Sequence, residues 1–210
     1  MNSIAAPVAV IADVMDSRGH PDRAVLQQTV EEVLASASAA SEPTQQFAAT
    51  VGDEFQAVFP DRFAALTATL HIQLALPAHV RLRFGMGEGS TTTVPSSGSQ
   101  HIQDGPGWWR AREAVESAES QQTRHPHVRC WFAGPDDAIS SIVNAYLLAR
   151  DHILTSMSVS ARTYAYGAAR GLPQSQIAQA SGVTQSAVSQ SLRRSGGSVL
   201  LEGLAQITGT

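Results

Sequence analysis

Apolar positions recur along this chain with two periods, near two residues in some stretches and between three and four in others, and each change of period marks an element. Pro7-Val8-Ala9-Val10-Ile11-Ala12 is an almost unbroken apolar run that ends at Asp13, the pattern of a central strand buried on both faces. A polar loop then leads to Pro21-Asp22-Arg23, which opens a helix from about Asp22 to Ser38 with Val25, Leu26, Val30, Val33 and Leu34 along one stripe. Two strand-like runs between Phe47 and Phe59 flank Gly52-Asp53 and predict a β-hairpin whose turn presents Asp53 and Glu54. Helical spacing returns from Asp61 to Leu76, through Phe63, Leu66, Leu70 and Leu74, and stops at Pro77. His79 to Gly87 reads as a strand whose glycines permit close approach of backbone or ligand.

Gly89 to Gly105 is rich in Ser, Thr and Gly without periodicity and is expected to be a mobile loop. A helix follows from about Trp108 to Gln121, then a last strand from His127 to Phe132. The order strand, helix, hairpin, helix, strand, helix, strand predicts an α/β (α+β) sandwich in which helices cover one face of a mixed, mainly antiparallel sheet. Ala133 to Asp137 is the best boundary, dividing a domain over 1–135 from a smaller all-α domain over 138–210, with helical patterns at 139–154, 159–170, 172–194 and 198–207.

Composition narrows the class. The chain is 43% apolar, and no run of 18 apolar residues provides a membrane span. The first residues lack the basic start and small-residue cleavage site of a secretory signal, so a cytoplasmic protein is expected. The single cysteine, Cys130, lies in an apolar run and reads as a core residue, and no zinc-ligand spacing occurs. Every one of the 14 basic residues is arginine. Residues 1–135 hold nine of them against 14 acids, a net −5, whereas residues 152–210 hold four against one, a net +3, so the tail is the part suited to a polyanion.

Two acids then acquire a common purpose. If the first strand lies beside the hairpin, Asp13 and Asp53 meet, and two carboxylates about 4 Å apart repel by about 4 kcal/mol at an effective dielectric near 20. A cation or a proton relieves that, and oxygen-only ligands favour Mg²⁺ or Mn²⁺ with a phosphate as the remaining partner. In the tail, Ile177, Ala178, Val183, Val188 and Leu192 fall where a helix-turn-helix needs its core, Gly182 takes the turn, and Thr184 can cap the second helix. Gln185, Ser186, Ser189 and Gln190 are then candidates for base contacts and Arg193 and Arg194 for phosphates, with a dimer needed for tight binding of DNA. A structural or protein-binding trihelical unit is the alternative for this segment.

The fragments Ala12-Asp13-Val14-Met15-Asp16-Ser17-Arg18, Thr50-Val51-Gly52-Asp53-Glu54-Phe55, Arg81-Leu82-Arg83-Phe84-Gly85-Met86-Gly87 and Asp104-Gly105-Pro106-Gly107 resemble, in this order, the SatD family of bacterial proteins. Over about 5–135 the same blocks are similar to the ferredoxin-like palm domains of class III nucleotide cyclases and GGDEF diguanylate cyclases, and residues 174–194 resemble the helix-turn-helix of bacterial regulators. The palm resemblance implies metal ligation by Asp13, Asp53 and the Val14 carbonyl, with Glu54 either a further ligand or a polar contact to the nucleotide. It implies nucleotide contacts from Asp16, Ser17, Arg18 and Gly52, and Arg110 and Arg112 are further candidates for phosphate.

This chain departs from the palm pattern at several positions. Val51 stands where GGDEF proteins have glycine, Phe47 where adenylate cyclases have a base-reading lysine, and Trp109 where an asparagine precedes the transition-state arginine, with Arg110 and Arg112 out of register. The leading expectation is therefore a DNA-binding transcriptional regulator, homodimeric, with a degenerate cyclase-like domain that senses a nucleotide with Mg²⁺ or Mn²⁺. The alternatives are an active nucleotidyl cyclase or nucleotidyltransferase using two divalent metals, and a structural module with degenerate acids.

Overall fold

In a computed structural model of the chain, residues 6–50, 52–94 and 102–208 are described. Strand β1 (Val8–Val14) is buried at every position but Asp13, and the place that suits such a strand is the middle of a sheet covered on both faces. The sheet has five strands in the order β2–β3–β1–β4–β7. Here β2 is Gln45–Ala49, β3 is Glu54–Phe59, β4 is Leu82–Glu88 and β7 is Cys130–Ala133. Strand β1 runs antiparallel to both β3 and β4, whereas β4 and β7 are parallel. With helix α1 (Arg23–Ser38) and helix α2 (Arg62–Ala75) in the connections, the first four large strands make the ferredoxin-like unit expected of a palm sandwich.

Alternation along β1 sends Val8, Val10, Ala12 and Val14 into the main core, where they meet Phe55, Ala57, Phe59, Phe84 and Met86 beneath α1 and α2. Both helices start at an aspartate, Asp22 or Asp61, whose carboxylate accepts the N–H of Val25 at 3.0 Å or of Ala64 at 2.8 Å. The opposite face is not bare, which corrects the one-faced arrangement predicted from the element order. Ala9, Ile11 and Val58 pack there against Trp108, Ala111 and Val115 of helix α3 (Pro106–Gln121), the crossover between β4 and β7. The glycines of β4 are the reason it can lie so close. A Cβ on Gly85 would stand 2.3 Å from the Ala111 carbonyl oxygen, and one on Gly87 would stand 2.1 Å from that of Gly107.

The Ser/Thr/Gly-rich stretch differs from a structureless loop at its ends, because Thr92–Val94 (β5) pairs antiparallel with Ile102–Asp104 (β6). Its middle, 95–101, lies outside the described residues.

Helix α4 (Asp137–Ser156) closes the outer edge of the sheet with side chains. Asn144 accepts the Phe132 N–H at 2.8 Å and donates to its carbonyl at 2.9 Å, and Asp151 accepts the N–H groups of Arg129 and Cys130 at 2.7 and 2.8 Å. Arg150, fully enclosed beside Asp151, reaches the Leu66 carbonyl and the Thr69 hydroxyl, and burial pushes the Cys130 thiol up, so this cysteine is an inert core residue. The same apolar core runs on into α5 (Val159–Ala169), α6 (Gln174–Ser181), α7 (Gln185–Arg194) and α8 (Gly197–Thr208). Helix α5 docks on α2 through an Arg162 hydrogen bond to the Gln73 carbonyl and an edge contact of His71 with Tyr166, ring centroids 6.3 Å apart. Among the described residues no helix is long and apolar enough to cross a membrane.

Candidate functional site

The period of β1 that buries Ala9 and Ile11 under α3 also places Asp13 on that face, at the end of the sheet where the hairpin turns. In register beside it lie Glu54 on β3 and Arg83 on β4. Arg83 Nη1 donates to Asp13 Oδ2 at 2.8 Å, its Nη2 donates to Gln122 at 3.0 Å, and Glu119 lies 3.4 Å away. Glu54 is a strand residue rather than part of the turn. Arg112 of α3 grips it with a two-pronged bond of 2.7 and 2.9 Å, and this contact raises the Arg112 pKa.

The turn brings Asp53 to the same end. Thr50 N–H closes the hairpin on the Glu54 carbonyl at 2.9 Å, Gly52 takes the left-handed conformation at φ 83°, and the Asp53 carbonyl accepts the N–H of Val14 at 3.1 Å. The Asp53 carboxylate accepts the Ser17 hydroxyl from the turn after β1. In that turn Asp16 also adopts a left-handed backbone, φ 57°, and pairs with Arg81. Val51 lies outside the described residues, as does the side chain of Arg18. Phe47 packs edge-on against Phe59 at 6.0 Å.

Four carboxylates therefore share one small region. Burial raises the Asp13 pKa above the usual carboxylate value, Arg83 pulls against it, and the charges of Asp53, Glu119 and Glu54 add to the rise. An all-oxygen donor set with surplus negative charge matches a hard divalent ion in chemistry, and Arg83 already supplies part of the compensating charge. Among the described residues no group of three or more His, Cys, Asp or Glu side chains is arranged to hold a metal ion. Arg110 lies elsewhere, at the far end of β4, donating to the Glu88 carbonyl at 2.8 Å.

Arg83 is the residue of this site that the sequence pattern did not single out. Its signal was its place in β4, two residues before Gly85 and hence on the face that receives α3.

The second candidate site is the pair α6 and α7. Gly182 turns the chain at φ 66°, the Val183 N–H returns to the Ala178 carbonyl at 3.0 Å, and Thr184 Oγ1 accepts the Ala187 N–H at 3.2 Å to cap α7. Ile177, Ala178, Val188 and Leu192 are buried as expected, but Val183 is 37% exposed, because the turn carries it out of the core. Thr184, Gln185, Ser186, Gln190, Arg193 and Arg194 are exposed and Ser189 is half-buried, and neither Arg193 nor Arg194 has a carboxylate partner among the described residues.

Comparison with solved structures finds adenylyl cyclase folds. The adenylyl cyclase CyaB from P. aeruginosa is 12% identical, with 53% of this chain and 71% of that chain covered and a TM-score of 0.42. Adenylate cyclases from Trypanosoma brucei in their monomeric state give 19%, 56%, 71% and 0.42 in the same terms. A bacterial light-regulated adenylyl cyclase gives 14%, 62%, 75% and 0.45. No curated protein matches. The sequence profile of the SatD family matches residues 7–207, nearly the whole chain, and the protein belongs to the SatD family.

Proposed function

We propose that the protein is a DNA-binding regulator whose sheet domain, over 1–135, binds a phosphate-bearing nucleotide and whose C-terminal helices, over 138–210, contact DNA. The observation that carries the DNA half is the surface of α7. Its exposed positions Gln185, Ser186 and Gln190 are uncharged hydrogen-bonding groups, it ends in Arg193 and Arg194, and no acid occurs between Asp151 and Glu202 to repel a phosphate backbone. Amides and hydroxyls match base edges in the major groove, while paired arginines match phosphates. With only four arginines over 152–210, one copy makes few phosphate contacts, so two copies are needed for tight binding.

The nucleotide half rests on the end of the sheet at Asp13. With Mg²⁺ or Mn²⁺ present, Asp13, Asp53, Glu54 and the Val14 carbonyl would hold the ion, which supplies positive charge to a bound phosphate. Arg83 and Arg112 hold the carboxylates in place, and Asp16, Ser17 and Gly52 line the turns from which backbone and hydroxyl donors approach a ligand.

Fluorescence anisotropy with a random duplex library, at two salt concentrations, tests the DNA half. Replacing both Arg193 and Arg194 by alanine is expected to weaken binding at every sequence and to reduce the salt slope by about 2. Wild-type protein that leaves anisotropy unchanged at low salt overturns it. A second reading, nucleotidyl cyclase or nucleotidyltransferase activity, draws on the convergence of Asp13 and Asp53. Incubation with each nucleoside triphosphate and Mn²⁺ decides that reading: pyrophosphate release abolished by Asp53→Ala supports it, and no release removes it.

A further inference from the structure

A cleft of about 150 Å³ opens where the sheet domain meets the C-terminal helices, and it touches the first site through Arg81, which pairs with Asp16. It is bounded by the end of α2, the start of β4 and the α4–α5 junction, and three arginines line it: Arg81, Arg129 and Arg162. Among the described residues no carboxylate lines it. Asp151, beside Arg129, is committed to the N–H groups of Arg129 and Cys130 and to the Gln73 amide. Arg129 is buried to 9% exposure with its guanidinium on two carbonyl oxygens, those of Pro126 and Val128, at 2.8 and 2.7 Å. Arg162 donates to the Gln73 carbonyl, yet its Nε is buried with no hydrogen-bond partner. Arg81 has only an exposed ion pair with Asp16, of the kind that contributes little to stability and exchanges readily.

Burying a charge without a counter-charge is costly, and an unmade hydrogen bond at a buried donor adds to that. Burial holds the Arg129 and Arg162 pKa values down, and the Arg81 charge lowers that of Arg129 further, against an opposing pull from Asp151. Guanidinium groups that line one cleft meet those costs together when an oxyanion enters, since their planar forks match its oxygens. A water's share of liquid volume is about 30 Å³. By that scale the cleft has room for a phosphate group.

We propose that this cleft binds a phosphate group, free or carried as a phosphomonoester on a small metabolite. A ligand there ties Arg81 and Arg129, at the sheet, to Arg162 at the start of the C-terminal helices, and so stiffens the junction between the two parts.

Isothermal titration with inorganic phosphate, and separately with glycerol 3-phosphate, tests this without DNA, nucleotide or divalent metal, so the outcome is independent of the function proposed above. Saturable binding of one equivalent is expected, and the tighter of the two probes identifies the source. Thr155→Asp places a carboxylate at the exposed rim while leaving all three arginines in position, and Arg162→Gln removes one. Each is expected to weaken binding at least tenfold, with Arg162→Lys between them and wild type. Heats no different from a chloride injection of equal ionic strength, or equal affinity in folded Thr155→Asp protein, would overturn the assignment.

Discussion

Substituting Gly87 by alanine measures how closely α3 is pressed onto the sheet. The new methyl carbon would lie 2.1 Å from the Gly107 carbonyl oxygen and 2.2 Å from the Ala111 nitrogen, where ordinary contacts begin at 3.4 Å. Both obstacles are helix backbone, so no rotamer change relieves the clash, and the helix must move outward by about 1.3 Å or the strand must bend. Overpacking of a well-filled core costs about 1–3 kcal/mol, and a rigid obstacle places this variant near the upper end, about 3 kcal/mol. For a chain of this size each kcal/mol moves the melting temperature by about 2–4 °C, giving a fall of roughly 6–12 °C. Moving α3 also draws Arg112 away from Glu54. Urea denaturation of Gly87→Ala beside Gly19→Ala, whose added Cβ meets nothing within 4 Å, provides the comparison. A Gly87→Ala protein within about 0.5 kcal/mol of wild type refutes the close-packing account.

Asp151→Asn leaves Arg150 enclosed without its acid partner, and breaking a buried pair in this way costs about 3–5 kcal/mol, readable as a lower urea midpoint with unchanged slope. His71 is held below its usual pKa, chiefly by burial, so it binds protons less readily in the fold than in the unfolded chain. Stability is complete at neutral pH and falls as pH drops through about 6.5; His71→Gln flattens that limb of a stability-versus-pH profile, and an unaltered limb rejects the assignment. Thr184→Ala removes the cap on α7 and costs about 1 kcal/mol, seen as faster amide exchange at Gln185 to Ala187 with little change in the sheet.

Much of the architecture was legible from local chemistry. Asp22, Asp61 and Thr184 announce helix starts because a short polar side chain satisfies N–H groups within the next turn, and that information lies within four residues. The unbroken apolar run of β1 required a strand covered on both sides, yet it could not say which helix would cover the second face. Gly85 and Gly87 held that answer, readable only once α3 is seen against them, since a missing side chain has meaning through what fills its place.

The candidate site divides in the same way. The sequence by itself brought forward Asp13, Asp53 and Glu54, because acids at strand ends and in turns stand out against apolar neighbours. Arg83 gave no such sign, being one of two arginines on a half-polar strand, and neither did Arg129 and Arg162, which lie 33 residues apart in the chain. Tertiary structure alone decided their partners: it set Arg83 against Asp13 and Arg112 against Glu54, and left Arg129 and Arg162 lining one cleft with no acid among its described lining residues. Caps and periodicity act over one turn or one strand and are written locally, whereas charge compensation depends on which distant groups the fold brings within a few ångströms.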